Sequence, residues 1–238
     1  MRAVSSPSEY SCGNRVLDAL PALDLADLQD DVQIVSVAAA QYTHALGEVM
    51  EHVDFPIDAV LSVVATLENG DTVEVGTVGR ESFVEADAAL DLLIAPRTSF
   101  CQVAGRVGRM PIGRFQDRMT TSPPFARLML HNVSAALFCA QQFAACNSKH
   151  AVIQRCARWL LMTADRVDTS RFALTHDFLA IMLGVRRAGV SEAAESLQRS
   201  GAIEYHRGTV TLVDRALLEA ASCECYGVCR TAFAAALR

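Results

Sequence analysis

One segment constrains the fold more than any other. Residues 125–148 contain neither Gly nor Pro, and their apolar positions repeat with a helical period. Leu130, Val133, Leu137, Ala140 and Ala144 step by 3, 4, 3 and 4, the a/d seam of a coiled coil. A second apolar set, including Phe125, Met129, Ala136 and Phe143, falls on other faces. A helix that is apolar on more than one side needs two partners. One face can cover the chain's own β domain and the other can meet a second copy of the same helix, so a homodimer is expected. A single wide face buried within a monomer is the alternative.

Different textures flank this helix. Before it, short β-rich runs recur at residues 32–37, 59–67, 72–78 and 100–107. Asn69-Gly70 separates the second and third runs and predicts a tight hairpin whose two turn residues both take positive φ. Many short strands without intervening helices point to a sandwich or barrel. Residues 14–28 read as a short helical region interrupted by Pro21, and the Ser-rich start, residues 1–13, as loose. After the long helix, polar Asn147, Ser148 and Lys149 form an expected hinge. A further helix covers residues 150–166, with Val152, Cys156, Trp159 and Leu160 on one side.

The pattern that points to function follows. Thr175 is the N-cap of a helix with Asp177 in its first turn, where an anion suits the dipole. Gly184 ends that helix, and Val185-Arg186 make a tight turn. A second helix spans residues 187–199, with Val190, Ala193, Ala194 and Leu197 as its buried face at i, i+3, i+4 and i+7. Ala188, Ser191, Glu192, Glu195 and Arg199 lie opposite, with Arg187 flanking. This is a helix-turn-helix. Residues 202–212 add two short strands around Arg207-Gly208, a hairpin with a basic tip that also carries His206. Together they read as a winged helix whose second helix enters the major groove while the wing touches phosphate. Overall charge is -6, but residues 149–215 hold ten Lys and Arg against seven Asp and Glu, a local +3 that leaves -9 elsewhere. This predicts a basic patch on the DNA-binding part.

Other classes find little support. No apolar run is long enough to span a membrane and the start is not a signal peptide, so a cytoplasmic protein is expected. The chain is 51% hydrophobic and has a full core to build, so its eight cysteines do not imply a disulfide framework. Cys12, Cys101, Cys139, Cys146 and Cys156 are isolated and read as small buried hydrophobes. Cys223, Cys225 and Cys229 cluster, but C-x-C-x3-C has no evident fourth ligand. Buried cysteines in a C-terminal helix are therefore expected, with a thiol or metal sensor as the alternative. The six histidines form no metal-spaced pair, no phosphate loop or nucleophile motif occurs, and neither a cofactor nor catalysis is expected.

The sequence from Leu174 to Val190, with its Met-Leu-Gly-Val-Arg-Arg turn, and Cys223-Glu-Cys-Tyr226 near the end resemble the Crp/Fnr superfamily of bacterial transcription regulators. Residues 51–56, 74–76 and 78–81 are similar to the sensor domain of one branch. The resemblance covers nearly the whole chain. It implies an α+β protein: a cyclic-nucleotide-binding-like β-roll (1–123), a dimerisation helix and hinge (124–148) and a winged helix-turn-helix (149–238). It also implies a palindromic operator in double-stranded DNA, with RNA polymerase as a further candidate partner. The DNA-contacting set is then Thr175, Arg186, Arg187, Ser191, Glu192, Arg199, His206 and Arg207. Base-reading positions fall on Arg187, Ala188 and Glu192, where the family's usual pattern is Arg, Glu and Arg. Arg187 can still grip a guanine, but Ala188 cannot bond a base, so a different half-site is expected. Arg97 and Thr98 match the phosphate-holding Arg-Ser/Thr of cyclic-nucleotide relatives. The Gly-Glu pair is missing, however, and Glu85 and Asp87 would repel a phosphate, so the effector is expected not to be a standard cyclic nucleotide. Only Cys12 lies near the start, which argues against an N-terminal iron-sulfur cluster. An interaction module that has lost DNA reading remains the other alternative, drawing on Glu192 and Glu195.

Overall fold

The computed structural model describes residues 11–167 and 169–238; most of the segment expected to be loose at the start lies outside them. The chain opens with α1 (Arg15–Asp18) and α2 (Ala22–Ala26), separated near Pro21. Asn14 explains why so short a helix forms. Its side chain accepts from the N–H groups of Val16 and Leu17, and its Nδ2 donates to the carbonyls of Pro56 and Ser82 at 2.8 and 2.9 Å. One fully buried amide thus caps α1 and satisfies two carbonyls of the β domain, one at the end of a strand and one in a loop.

The β domain is built from β1 (Gln33–Val37), β2 (Tyr42–His44), β3 (His52–Pro56), β4 (Val60–Thr66), β5 (Thr72–Val78), β6 (Thr98–Val103) and β7 (Gly105–Pro111). These form two antiparallel sheets, ordered β1-β7-β3 and β2-β6-β4-β5. Val37 and Val107 of one sheet meet Leu61 and Cys101 of the other in a common core. The run at 100–107 is not one strand. It breaks at Ala104, and the chain crosses from β6 in one sheet to β7 in the other. Gly105 permits this, because a Cβ there would lie 2.6 Å from the Ala59 backbone nitrogen. The Asn69-Gly70 hairpin forms with a different turn. Gly70 alone of the pair has positive φ (87°), and Leu67 accepts from Gly70 N–H and donates to the Asp71 carbonyl. That is a type I turn closed by a left-handed glycine, a three-residue alternative to the two-residue primed turn.

β3 escaped the alternation pattern for a physical reason. It buries Asp54 completely, and Arg109 of the neighbouring strand holds that carboxylate through two 2.8 Å hydrogen bonds. Burial is the largest influence and would raise the Asp54 pKa, but the hydrogen bonds and charges of Arg109 and His52 together outweigh it and hold the carboxyl below the ordinary aspartate value. The sign for stability follows. A lowered carboxylate contributes stability above the unfolded value of 3.8, and loses it as pH falls through the lower folded value. Urea unfolding followed down to about pH 3 should therefore show stability falling with acid, and Asp54→Asn should be weaker at neutral pH with a flatter acid slope.

After β7, α3 (Ile112–Thr121) drops Phe115 into the core, and α4 (Pro123–Lys149) is the long helix, capped by the Ser122 hydroxyl on Phe125 N–H. Residues 147–149, expected to be a hinge, belong to α4. The break falls at His150 and Ala151, before α5 (Val152–Val167). The second apolar set of α4 splits between two partners. Phe125 and Met129 pack on the β domain, whereas Ala136 and Phe143 join Ala135 and Cys139 against the C-terminal helix α9 (Cys225–Ala236). The seam is mostly outward: Leu130 is 43% and Leu137 59% exposed, with Phe138 beside them at 44%, whereas Val133 is half-buried against the β-domain core. Among the described residues no helix is long and apolar enough to cross a membrane.

Candidate nucleic-acid interface

The rest of the chain forms a compact winged unit: β8 (Arg171–Ala173), α6 (His176–Leu183), α7 (Arg187–Arg199), β9 (Ile203–His206), β10 (Thr209–Leu212) and α8 (Arg215–Ala221), with the sheet ordered β8-β10-β9. Thr175 Oγ1 accepts from Phe178 N–H at 3.1 Å and starts α6. Gly184, at φ 60°, ends it in the left-handed conformation that glycine tolerates. Val190, Ala193, Ala194 and Leu197 are buried, as the spacing requires. The wing turn has Arg207 at φ 46° and Gly208 at φ 75°, the primed geometry that matches strand twist.

The outward face of α7 carries Arg187, Ala188, Glu192, Glu195 and Arg199, all exposed. Arg186 precedes it, and His206 and Arg207 stand exposed on the wing. Two of these guanidinium groups have partners within the chain: Arg187 Nε lies 2.9 Å from Asp177 Oδ1 and Arg199 3.1 Å from Glu195. Exposed pairs of this kind contribute about 0–1 kcal/mol, so neither guanidinium is held firmly in place. Ser191 lies between the two helices. Its hydroxyl is within 3.0 Å of His176 Nδ1 and ties α7 to α6. His176 in turn stacks on Tyr205 at 4.5 Å, and Tyr205 OH donates to the Leu174 carbonyl, so helix pair and wing form one rigid surface. Burial, and then the Arg187 charge, push the His176 pKa down. His176 and Tyr205 had no sequence signature beyond their position in α6 and the wing.

The local basic excess is only partly a surface patch. Arg155, Arg158 and Arg166 of α5 are buried. Arg155 donates to the Leu183 carbonyl at the end of α6, Arg158 lies 4.1 Å over the Phe143 ring, and Arg166 pairs with Glu81 of the β domain at 2.8 Å. Trp159 Nε1 donates to Glu74 of β5 at 3.1 Å, and Phe178 meets Phe100 of β6 edge-on at 6.3 Å. These contacts dock the winged unit on the β domain.

In the β domain, Glu85 is buried and bonded to His44 Nδ1 (2.9 Å) and Ser99 Oγ (2.8 Å), and burial pushes its pKa up. Arg97 is 3.7 Å from Asp87, and Thr98 Oγ1 accepts from Leu46 N–H.

The cysteines redistribute. All eight are unpaired and buried. Cys229 leaves its sequence neighbours and meets Cys139, whereas Cys223 and Cys225 join Cys146 and His150. Cys146 was expected as an isolated hydrophobe and His150 as no ligand. Their signal was the i, i+4 spacing across the end of α4, which gains meaning only beside Cys223-x-Cys225. The hydrogen bond from Cys146 holds the Cys223 thiol below its ordinary value and Cys146 above it.

A family model described as the Crp-like helix-turn-helix domain matches residues 154–221. No curated protein matches the chain. Solved structures do. A transcriptional regulator of the CRP family from Thermus thermophilus is 20% identical at a TM-score of 0.66, covering 79% of this chain and 96% of its own. FixK2 from Bradyrhizobium japonicum is 15% identical at 0.66, covering 81% and 98%. The c-di-GMP responsive global regulator CLP of Xanthomonas campestris is 16% identical at 0.63, covering 82% and 100%. The chain thus carries a Crp-like helix-turn-helix domain at residues 154–221 and has the fold of these solved structures over about four fifths of its length.

Proposed function

We propose that this protein is a cytoplasmic, homodimeric transcription regulator that reads a palindromic DNA site with α7 and touches the phosphate backbone with the β9–β10 wing. The observation that carries the reading is α7 itself. Its inner face is locked to α6 and the wing, while Arg187 stands exposed at its start. The outward a/d seam of α4 supplies the dimer contact, which sets two α7 helices about 34 Å apart in successive major grooves. Arg186, Arg199, His206 and Arg207 serve as backbone contacts, and Glu192 as an acceptor for a cytosine amino group. Thr175 acts first as a helix cap and Ser191 as a helix–helix tie. The β domain responds to a ligand other than a standard cyclic nucleotide. Its candidate phosphate grip, Arg97 and Thr98, is engaged with Asp87 and Leu46, and Glu85 lies close by in sequence. A change there reaches the winged unit through Glu74–Trp159 and Glu81–Arg166 and turns it about His150-Ala151.

Fluorescence anisotropy with DNA from upstream of the gene, across a salt series, tests this. Specific binding that weakens with salt is expected, and Arg187→Ala should weaken it by about 1–3 kcal/mol. A second reading, a protein-interaction module, draws on Glu192 and Glu195 on the α7 face. Salt-insensitive binding, or none with any promoter fragment, would favour it.

A further inference from the structure

We infer that Cys146, His150, Cys223 and Cys225 form a binding site for one divalent metal ion of the zinc class, which cross-links the end of α4 to the start of α9. Their four ligand atoms all lie within 4.8 Å of one another. Cys146 Sγ is 3.5 Å from Cys223 Sγ and 3.4 Å from His150 Nδ1, and His150 Nδ1 is 3.7 Å from Cys225 Sγ. A tetrahedral ion with thiolates at about 2.3 Å sets its ligands about 3.8 Å apart, so these edges match a mononuclear site. A two-iron or four-iron cluster would hold its outer sulfurs farther apart than this group allows. Three thiols and one imidazole are also the soft donor set that zinc prefers over magnesium or calcium.

The surroundings are those of a ligand set rather than of a cysteine core. Cys146 and Cys225 are fully buried and Cys223 is 5% exposed, and the three sulfurs form a small cluster of their own. His150 directs Nδ1 at the sulfurs, and its Nε2 lies 3.3 Å from Glu224 Oε2. A carboxylate on the far nitrogen of a histidine fixes the ring and the tautomer needed for metal binding. Gln142 Nε2 lies 3.1 Å from Cys225 Sγ and donates to it, as a thiolate ligand requires. A disulfide between Cys146 and Cys223 is the competing use. It would have to close 3.5 Å to about 2.05 Å, and it would leave Cys225 and His150 without a role.

Binding releases the thiol protons to solvent and changes no oxidation state. Its structural effect is local and specific. The ion pins the turn before α9 to the last turn of α4, next to the His150-Ala151 break that leads into the winged unit.

The test uses full-length protein stripped of metal under reducing conditions, with cobalt(II) as the probe. One cobalt per chain, with the intense visible bands of a tetrahedral thiolate site and displacement by one equivalent of zinc(II), is the expected result. Cys225→Ser should abolish the bands, whereas Cys229→Ser, which removes a thiol facing Cys139, should keep them. Glu224 is exposed, so Glu224→Gln leaves the fold intact and should weaken zinc binding about 10–100-fold. Substoichiometric cobalt in the native chain, octahedral spectra, or equal loss in Cys225→Ser and Cys229→Ser would overturn the inference.

Discussion

A Leu137→Glu variant is expected to sediment as a monomer and to bind a palindromic site about 10²–10⁴-fold more weakly than the native chain. The size follows from avidity, since joining two half-site readers makes the second contact intramolecular. The choice of residue follows from geometry. Leu137 is 59% exposed in the single chain, so its replacement removes nothing from the subunit core and the far-UV circular dichroism should be unchanged. In the pair, each copy buries a leucine worth about 1.5–3 kcal/mol, and the variant sets two carboxylates in an apolar seam instead. A variant that remains dimeric would place the interface elsewhere than on Leu130, Leu137 and their neighbours.

The second large effect is expected at Phe115. Phe115→Ala should cost about 3–5 kcal/mol in urea unfolding, a large share of the roughly 5–15 kcal/mol that holds a typical domain. Phe115 is fully buried, with ring centroids 6.4 Å from Phe55, 5.9 Å from Phe83 and 5.5 Å from Phe125. These four rings join β3, the loop before Glu85, α3 and the first turn of α4. The cavity would therefore open where the β domain meets the long helix, and Phe115→Leu, which refills most of it, should restore much of the loss. A cost below about 1 kcal/mol would mean that the four rings do not form a close-packed core.

How much of this was legible in the sequence depended on how local the determinants are. The helix-turn-helix was readable because its cap, its left-handed Gly184, its i, i+3, i+4, i+7 inner face and its Arg207-Gly208 turn all lie within short windows. The long helix was readable from its period, and its outward seam matches the heptad positions. Distant partners hid the rest. Asp54 disguised β3 because its neutralising Arg109 comes 55 residues later. Gly105 splits one apparent strand because of an approach to Ala59 that no window shows. The arginines of α5 look like a basic patch until Glu81, Phe143 and the Leu183 carbonyl are found to bury them. Cys146 and Cys223 are 77 residues apart, and only the return of α9 along α4 makes them neighbours. The same return explains why the second apolar face of α4 serves two partners.

The central claim is that two copies of α7 read a symmetric site, and the measurement that tests it most directly is selection of bound sequences from a random DNA library by the native protein. The account predicts recovered sites with two-fold symmetry, half-sites centred about one helical turn, roughly 34 Å, apart, and a guanine in each half for Arg187. Recovery of isolated asymmetric sites, or no enrichment over the starting library, would contradict it.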